Sequence, residues 1–254
     1  MQLNFKTFGQ GDPIIILHGL FGTLDNWQTI ARQLAEQYSV YILDQRNHGR
    51  SPHVDAISYP LMAEDLVQFM ESQWIYKASI IGHSMGGKTA MQFACDNPDM
   101  VEKLIVVDIA PKTYAGNHEL IFDALLSLDM DVLTSRKQAD ELLEQKVTDF
   151  GVRQFLLKNL SRTKAGKYAW KMNLPIIHQH YDEILNNISS TDTFDGPTLF
   201  IKGEKSDYIT EGDEALIRAH FAKAVLKTIP DAGHWVHAEQ PALLLDMVQQ
   251  FLAS

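Results

Sequence analysis

The sequence predicts an α/β fold class: a mostly parallel, doubly wound sheet that carries one helical insertion. The chain has 254 residues, 45% of them hydrophobic, which is enough for one large core. Short runs rich in β-branched residues alternate with helical patterns over most of the chain, as in doubly wound sheets. One long central stretch has helical patterns alone, and this predicts the insertion.

The predicted strands are short runs that mostly end at Asp, Gly or Lys, and such runs are typical of strands buried on both faces of a parallel sheet. They cover Ile14–Leu17, Val40–Leu43, Ser79–Ile81, Leu104–Val107, Thr198–Ile201 and Val225–Ile229. Apolar residues at helical spacing lie between them. They predict helices over Trp27–Glu36, Leu61–Met70, Lys88–Cys95 and Leu243–Leu252.

The helical insertion begins near Lys112, where the strand pattern stops. Leucine-rich helical spacing then continues to Ser190, and Asp195-Gly196-Pro197 forms a turn before the strand pattern returns. We therefore predict a core of residues 1–111 and 191–254, covered by a helical cap of residues 112–190.

Composition and charge exclude several classes of protein. The net charge of -10 argues against broad nucleic-acid binding, because the phosphate backbone demands a cationic face. Cys95 is the only cysteine, which excludes a disulfide framework and any multi-cysteine metal site. The apolar runs are too short to cross a bilayer and no signal-peptide pattern opens the chain, so we expect a cytoplasmic protein with no membrane span.

One stretch of the predicted cap is locally basic. From Arg136 to Lys171 there are nine Lys or Arg residues against four acids. They could bind an anionic acyl donor such as a CoA phosphate. A charge run of this kind is more often the solvated face of helices, and we favour that interpretation.

Residues Gly82 to Thr89, Gly-His-Ser-Met-Gly-Gly-Lys-Thr, satisfy two signatures at once. Read as G-x-S-x-G, they form a sharp strand-to-helix turn that exposes Ser84 as a nucleophile. Read as G-x-x-x-x-G-K-[ST], they form a P-loop that holds nucleotide phosphates with Lys88 and Thr89. Both turns lie between a strand and a helix, so distant residues must decide.

The serine interpretation first requires a loop that stabilises an oxyanion. The strand Ile14–Leu17 runs into His18-Gly19-Leu20-Phe21-Gly22, which supplies such a loop. Developing negative charge on a substrate oxygen needs preorganised donors, and we expect these to be the backbone N–H groups of Leu20 and Met85.

A histidine must follow late in the chain to act as the general base. His234, on a turn after the strand Val225–Ile229, has the right place, and an imidazole can take the serine proton and return it. His237 is a rival, but a structural or solvent-facing histidine at the start of the last helix describes it better.

An acid must orient His234, and two candidates are open. Asp108 ends the strand next to the one that carries Ser84, where active sites of open α/β sheets form. Asp207 follows the strand Thr198–Ile201 and is the alternative. We prefer Asp108, with Ser206 as a hydrogen-bond partner for the acid.

Four motifs together resemble the α/β-hydrolase superfamily, and their HGLFG and RNHG forms are similar to those of small bacterial esterases and their mitochondrial relatives. The motifs are His18-Gly19-Leu20-Phe21-Gly22, Asp44-Gln45-Arg46-Asn47-His48-Gly49-Arg50-Ser51, Gly82-His83-Ser84-Met85-Gly86-Gly87 and Gly233-His234-Trp235. The resemblance implies the α/β-hydrolase fold and hydrolysis of small-molecule acyl esters or thioesters. Asp108-Ile109-Ala110-Pro111 also matches that group, which favours Asp108 as the acid.

Two other functions remain as alternatives. A P-loop nucleotide-binding protein would also use Asp108, as a magnesium ligand, but gives no role to His18-Gly19 or Gly233-His234. A hydrolase-fold receptor that binds without turnover cannot be separated by fold alone, although the complete Ser, His and acid set argues against it. The serine mechanism requires no metal or cofactor.

Two further groups have an open role. Phe122, Leu125, Phe155 and Trp170 could line an acyl pocket, although helical apolar stripes are more often core, and we favour core. Arg46, Asn47 and His48 follow a strand end on the same rim as Ser84. We favour a structural role, in which Asp44 and Arg46 tie loops together by charge-assisted hydrogen bonds.

Overall fold

A computed structural model describes all residues, 1–254, and contains a seven-stranded sheet with the order β1-β3-β2-β4-β5-β8-β9. The sheet strands are β1 (Phe5–Phe8), β2 (Pro13–Leu17), β3 (Ser39–Leu43), β4 (Ala78–His83), β5 (Val101–Val107), β8 (Thr198–Gly203) and β9 (Ala224–Ile229). A separate hairpin is formed by β6 (Leu160–Arg162) and β7 (Tyr168–Trp170). All neighbours in the large sheet are parallel except β1, which pairs antiparallel with β3. The predicted α/β fold with a mostly parallel sheet is therefore confirmed.

Eleven α-helices accompany the strands, and none is both long enough and apolar enough to cross a membrane. They are α1 (Gln28–Leu34), α2 (Tyr59–Ser72), α3 (Met85–Asp96), α4 (Glu119–Leu126), α5 (Arg136–Glu144), α6 (Phe150–Leu157), α7 (Leu174–Gln179), α8 (Tyr181–Leu185), α9 (Glu214–His220), α10 (Val236–Glu239) and α11 (Pro241–Ala253). All six predicted strand runs and all four predicted helices are present, with ends that differ by a few residues.

Alternate residues of the strands pack on opposite faces of the sheet. Ile15 and Val106 join the apolar core under α2 and α3, whereas Ile16 and Val107 join the core under α1 and α11. Both faces are thus covered, which explains why these strands read as continuous apolar runs.

The helical segment between β5 and β8 differs from the prediction in one respect. Strand structure does not vanish there, because the β6–β7 hairpin lies between α6 and α7. Each of its strands has only three residues, too few to produce a recognisable alternation. Helices α4 to α8 fall within residues 112–190 and supply most of an apolar cluster that also includes Phe21, Tyr59 and Met85. The division into core and cap at these residues stays a prediction.

Lys88 connects helix α3 to this helical segment. Its side chain is buried, and Nζ donates hydrogen bonds to the backbone carbonyls of Leu185 and Asn186 at 3.0 and 2.5 Å. The ammonium also lies over the rings of Tyr59 and Tyr114, 5.4 and 4.8 Å from their centroids. Burial and the charge of Lys112 lower the pKa of Lys88 to about 7. The residue was expected only to begin a helix, and instead ties two parts of the fold together.

The loop after β3 is held by two separate sets of contacts, one made by Asp44 and one by Arg46. Asp44 accepts hydrogen bonds from Leu24 N–H at 2.8 Å and Arg50 N–H at 2.9 Å. Arg46 instead binds Asp65 of α2 through two bonds, Nε to Oδ2 at 2.6 Å and Nη2 to Oδ1 at 2.9 Å. Both residues thus tie separate segments together by charge-assisted hydrogen bonds, as expected.

The Arg46–Asp65 pair generates a stability prediction. The two side chains are 7% and 4% exposed, so Arg46→Met leaves a buried carboxylate without its partner and should lower the free energy of unfolding by about 3–5 kcal/mol. Urea unfolding followed by circular dichroism measures the change.

Lys77→Met provides the matched control, because the Lys77–Glu102 pair is similarly short, 2.8 Å, but has side chains that are 50% and 57% exposed. We expect a loss below about 1 kcal/mol there. Equal losses in the two variants would contradict the assignment of a stabilising role to the buried pair.

Candidate active site

Ser84 lies on a strained turn between the end of β4 and the start of α3. Its backbone has φ 51° and ψ -119°, a region that residues with a Cβ rarely adopt. The turn is so tight that a Cβ on Gly82 would overlap the Gly86 carbonyl, and a Cβ on Gly86 would overlap the Leu17 carbonyl. The octapeptide therefore forms the strand-to-helix turn of the serine interpretation, with the Ser84 side chain half-buried.

The P-loop interpretation needs Lys88 and Thr89 to face a bound phosphate, and the structure places both elsewhere. Helix α3 begins at Met85, not at Lys88 as expected, so Lys88 and Thr89 lie inside the helix. Both are buried; Lys88 is engaged by cap carbonyls, and the Thr89 hydroxyl donates to the Met85 carbonyl at 3.1 Å. Neither side chain is available to a phosphate group.

Three side chains that were predicted from distant motifs meet at this turn. His234 Nε2 lies 3.0 Å from Ser84 Oγ, and His234 Nδ1 lies 2.8 Å from Asp108 Oδ2. Because the Asp108 carboxylate accepts, the imidazole donates from Nδ1 and presents the Nε2 lone pair to the serine hydroxyl. This tautomer is the one that a general base requires.

Asp108 is fully buried, and both of its carboxylate oxygens accept further hydrogen bonds. The Gly203 N–H donates to Oδ1 at 3.0 Å, and the Ser206 hydroxyl donates to Oδ2. The expected partnership of Ser206 with the acid is thus present. Asp207 borders the same cavity, but its side chain is exposed and makes no hydrogen bond to His234.

The backbone of the His234 loop is fixed by a second histidine. The His83 Nε2 lies 2.8 Å from the His234 carbonyl oxygen, which can only accept, so His83 donates. Burial lowers the pKa of His83 well below its ordinary value. His83 therefore stays neutral and acts as a structural donor.

His237, the rival histidine, is buried away from Ser84. Its ring stacks on Trp27 with centroids 4.9 Å apart and an interplanar angle of 15°. Burial lowers the pKa of His237 to about 3, so the ring is neutral at physiological pH. It packs as a core residue rather than facing solvent.

The loop after β2 is rigidly held next to the serine. His18 donates from Nδ1 to the Gly19 carbonyl at 2.8 Å, and its Nε2 accepts from the Gln45 N–H at 3.1 Å. Leu20 and Met85 both border the cavity at Ser84. Met85 is the first residue of α3, so its N–H has no partner within the helix.

A cavity of about 380 Å³ opens at Ser84 between the sheet and the helical segment, and most of its walls are apolar. Contributors from the cap include Ile121, Val152, Phe155 and Leu156. Of the four residues proposed as core or pocket, Phe155 lines the cavity, whereas Phe122 and Leu125 are buried in the cap core and Trp170 packs at its edge. The preference for core was therefore wrong for Phe155.

The basic stretch of the cap and the rim residues after β3 stay outside the cavity. Seven of the nine basic side chains between Arg136 and Lys171 are exposed, Lys171 is half-buried, and Arg153 is buried in ion pairs with Asp140 and Glu144. None of them borders the cavity, nor do Arg46, Asn47 and His48. No group of three or more His, Cys, Asp or Glu side chains is arranged to hold a metal ion.

Reasoning from the sequence gave no role in the site to many residues of the cavity wall, Tyr208 and Lys88 among them. Tyr208 stacks against the His234 ring, and no sequence motif predicts this contact. Lys88 also borders the cavity. It lies one helical turn after Ser84, on the same face, and this spacing was the available signal.

Comparisons with known proteins agree with this fold. Residues 12–241 match the alpha/beta hydrolase fold family. The chain is 39% identical over 248 residues to the sn-1-specific diacylglycerol lipase ABHD11 of Mus musculus, covering 94% of this chain and 80% of that protein. It is 38% identical over 241 residues to the esterase YbfF of Escherichia coli (strain K12), covering 94% and 92%.

A solved structure, described as a marine microorganism esterase, has a TM-score of 0.97 at 46% identity and covers 98% of this chain and 99% of that one. The family match over residues 12–241 spans the sheet from β2 to β9 together with the helical insertion. The predicted membership of the α/β-hydrolase superfamily is thereby confirmed, and this chain belongs to the α/β hydrolase fold family.

Proposed function

We propose that this chain is a serine hydrolase that cleaves carboxylic esters through an acyl-enzyme on Ser84. One observation carries the proposal: Ser84 Oγ, His234 and the buried Asp108 form a continuous hydrogen-bonded chain at the mouth of a mostly apolar cavity. The relatives named as esterases and as diacylglycerol lipases support ester substrates.

In the mechanism, His234 Nε2 takes the Ser84 proton as Oγ attacks the ester carbonyl carbon. The carbonyl oxygen becomes negative and is stabilised by the N–H groups of Leu20 and Met85. The His234 imidazolium, held by Asp108, then protonates the leaving alcohol. A water molecule, deprotonated by His234, then attacks the acyl carbon; the C–Oγ bond breaks, the acid leaves, and the His234 imidazolium returns its proton to Ser84 Oγ.

Asp108, rather than Asp207, acts as the acid in this proposal. Asp108 is buried, lies 2.8 Å from His234 Nδ1, and accepts two further hydrogen bonds, from the Gly203 N–H and the Ser206 hydroxyl. A buried carboxylate beside an imidazole favours the imidazolium that forms during attack. An exposed Asp207 would be screened by water.

The cavity selects the acyl group by its apolar walls. Val152, Phe155 and Leu156, all from α6, face a substrate that is bound at Ser84. Burial of each further methylene of an acyl chain contributes about 0.8 kcal/mol, until the cavity is full. Esters of fatty acids with several carbons therefore fit better than acetate esters. Thioesters with the same acyl groups would place the same chain in the cavity.

The roles of the two histidines give the first activity prediction. Ser84→Ala and His234→Ala should each lower kcat for a p-nitrophenyl ester by about 10⁴-fold or more, since the triad acts as a unit. His237→Gln is the matched control and should retain kcat within about tenfold. A burst of p-nitrophenol in the wild type that is absent in Ser84→Ala separates turnover from simple binding.

The choice of acid gives the second prediction. Asp108→Asn should lower kcat by about 10⁴-fold, because an amide NH₂ at Nδ1 favours the wrong imidazole tautomer. Asp207→Asn should change kcat by less than about threefold. The assignment is wrong if the two variants exchange these behaviours.

The cavity gives the third prediction. Val152→Phe adds volume to the wall and should shift the preferred acyl chain toward shorter esters, measured as kcat/KM over p-nitrophenyl esters of graded length. Leu126→Phe, an exposed position of α4 outside the cavity, is the control and should leave the preference unchanged. The same series with acyl-CoA thioesters measures the leaving-group preference. An unchanged optimum in Val152→Phe would argue against acyl binding in this cavity.

A further inference from the structure

The aromatic ring of Tyr208 lies flat against the imidazole of His234. The ring centroids are 3.8 Å apart and the interplanar angle is 17°. The proposed mechanism uses this imidazole as a base but gives Tyr208 no role. We infer, on the basis of that proposed function, that Tyr208 is a positioning residue: it holds the His234 ring against Ser84 and stabilises the imidazolium that forms during attack.

The backbone of Tyr208 is fixed on both sides. Its N–H points to Ser206 Oγ at 3.3 Å, and the Ser206 hydroxyl in turn donates to Asp108. Its carbonyl accepts a hydrogen bond from the Tyr114 hydroxyl at 2.7 Å, and that hydroxyl accepts from the Ala110 N–H at 2.8 Å. Tyr208 is therefore tied to the segment that carries the acid, so its ring and the carboxylate contact His234 in a fixed relation.

The position of the ring restricts the motion of the imidazole. A rotation of His234 about χ2 would carry Nε2 away from Ser84 Oγ, where it now lies at 3.0 Å. A parallel ring at van der Waals distance from one face resists that rotation, because the rotated imidazole would collide with it. The tilted ring of His83, with its centroid 4.8 Å away at 42°, is a second neighbour.

The electrostatics favour the charged form of His234. The face of an aromatic ring is electronegative, so it attracts an imidazolium more strongly than a neutral imidazole. The titratable groups around His234 are Asp108 at the end of β5, His83 in β4, His118 before α4, His237 in α10, and Tyr208 with its neighbour Asp207.

The three neighbouring histidines do not oppose the imidazolium. Burial lowers the pKa of His118 to about 4 and that of His237 to about 3, and lowers the pKa of His83 well below its ordinary value. All three are neutral near pH 7, so none of them adds a positive charge beside the imidazolium, which contacts the Asp108 carboxylate and the Tyr208 ring.

The test compares two substitutions of Tyr208 by kcat, KM and the pH profile of kcat/KM on a p-nitrophenyl ester. Tyr208→Phe keeps the ring and should retain kcat within about threefold. Tyr208→Leu keeps an apolar side chain but removes the ring face, and should lower kcat by about tenfold. The activity requires neutral His234, so loss of imidazolium stabilisation should also move the acid limb of the Tyr208→Leu profile to lower pH. Tyr76→Leu, an exposed site, is the control.

A merely structural role gives a different result. It would lower activity in Tyr208→Leu without moving the acid limb, and greater water access to His234 would move that limb to higher pH. Either result overturns the inference, as does a Tyr208→Phe variant that is as impaired as Tyr208→Leu. If Tyr208→Leu does not fold, Tyr208→Met makes the same comparison.

A measurement without substrate separates this inference from the proposed function. The His234 ring signal, identified by its loss in His234→Ala, is titrated by NMR in the wild-type, Tyr208→Phe and Tyr208→Leu proteins. A lower midpoint in Tyr208→Leu alone supports the inference, and equal midpoints overturn it. Failure of the proposed function would instead appear as a wild-type protein without esterase activity, or as activity that persists in Ser84→Ala.

Discussion

The rest of the site depends on one constraint, the tight turn that places Ser84 between β4 and α3. The strained φ of 51° at Ser84 is possible because Gly82 and Gly86 leave no side chain in the way of neighbouring backbone. The Ser84 N–H donates to the Val107 carbonyl at 3.0 Å, so the turn is fixed to the end of β5. The next residue is Asp108, so the relative positions of Ser84 and Asp108 are set by the register of two adjacent strands.

His234 follows β9, the strand at the edge of the sheet, and its loop lies close to the backbone at the end of β8. Gly203, at the end of β8, donates to Asp108, and a Cβ at Gly203 would overlap the Gly233 carbonyl. The loop that carries His234 can thus approach the acid only because Gly203 has no side chain. The Tyr208 ring and the His83 donor then fix the ring and the backbone of His234. Each of these contacts joins segments that are far apart in the chain.

The sequence predicted the features that rest on strong local patterns. Buried strands, the turn at Ser84 and the chain order of Ser84, Asp108 and His234 all follow from periodicity and short motifs. Strand β1 was missed because its residues are half or fully exposed and show no apolar alternation, and the cap hairpin was missed because three-residue strands carry too little pattern. The partners of Arg46, Lys88 and Tyr208 are set by tertiary packing over 19 or more residues, which a single sequence does not reveal.

The hydrogen bonds of the buried Lys88 side chain limit which helical segments this sheet can carry. Lys88 lies in helix α3, which begins one residue after Ser84, yet its acceptors, the Leu185 and Asn186 carbonyls, belong to the end of the helical segment. A helical segment exchanged from another family member would have to supply acceptor oxygens at this point, or else leave the buried Lys88 nitrogen without hydrogen-bond partners at the cavity wall. Residue 88 and the helical segment therefore have to match, and a chimera would need to exchange the two together.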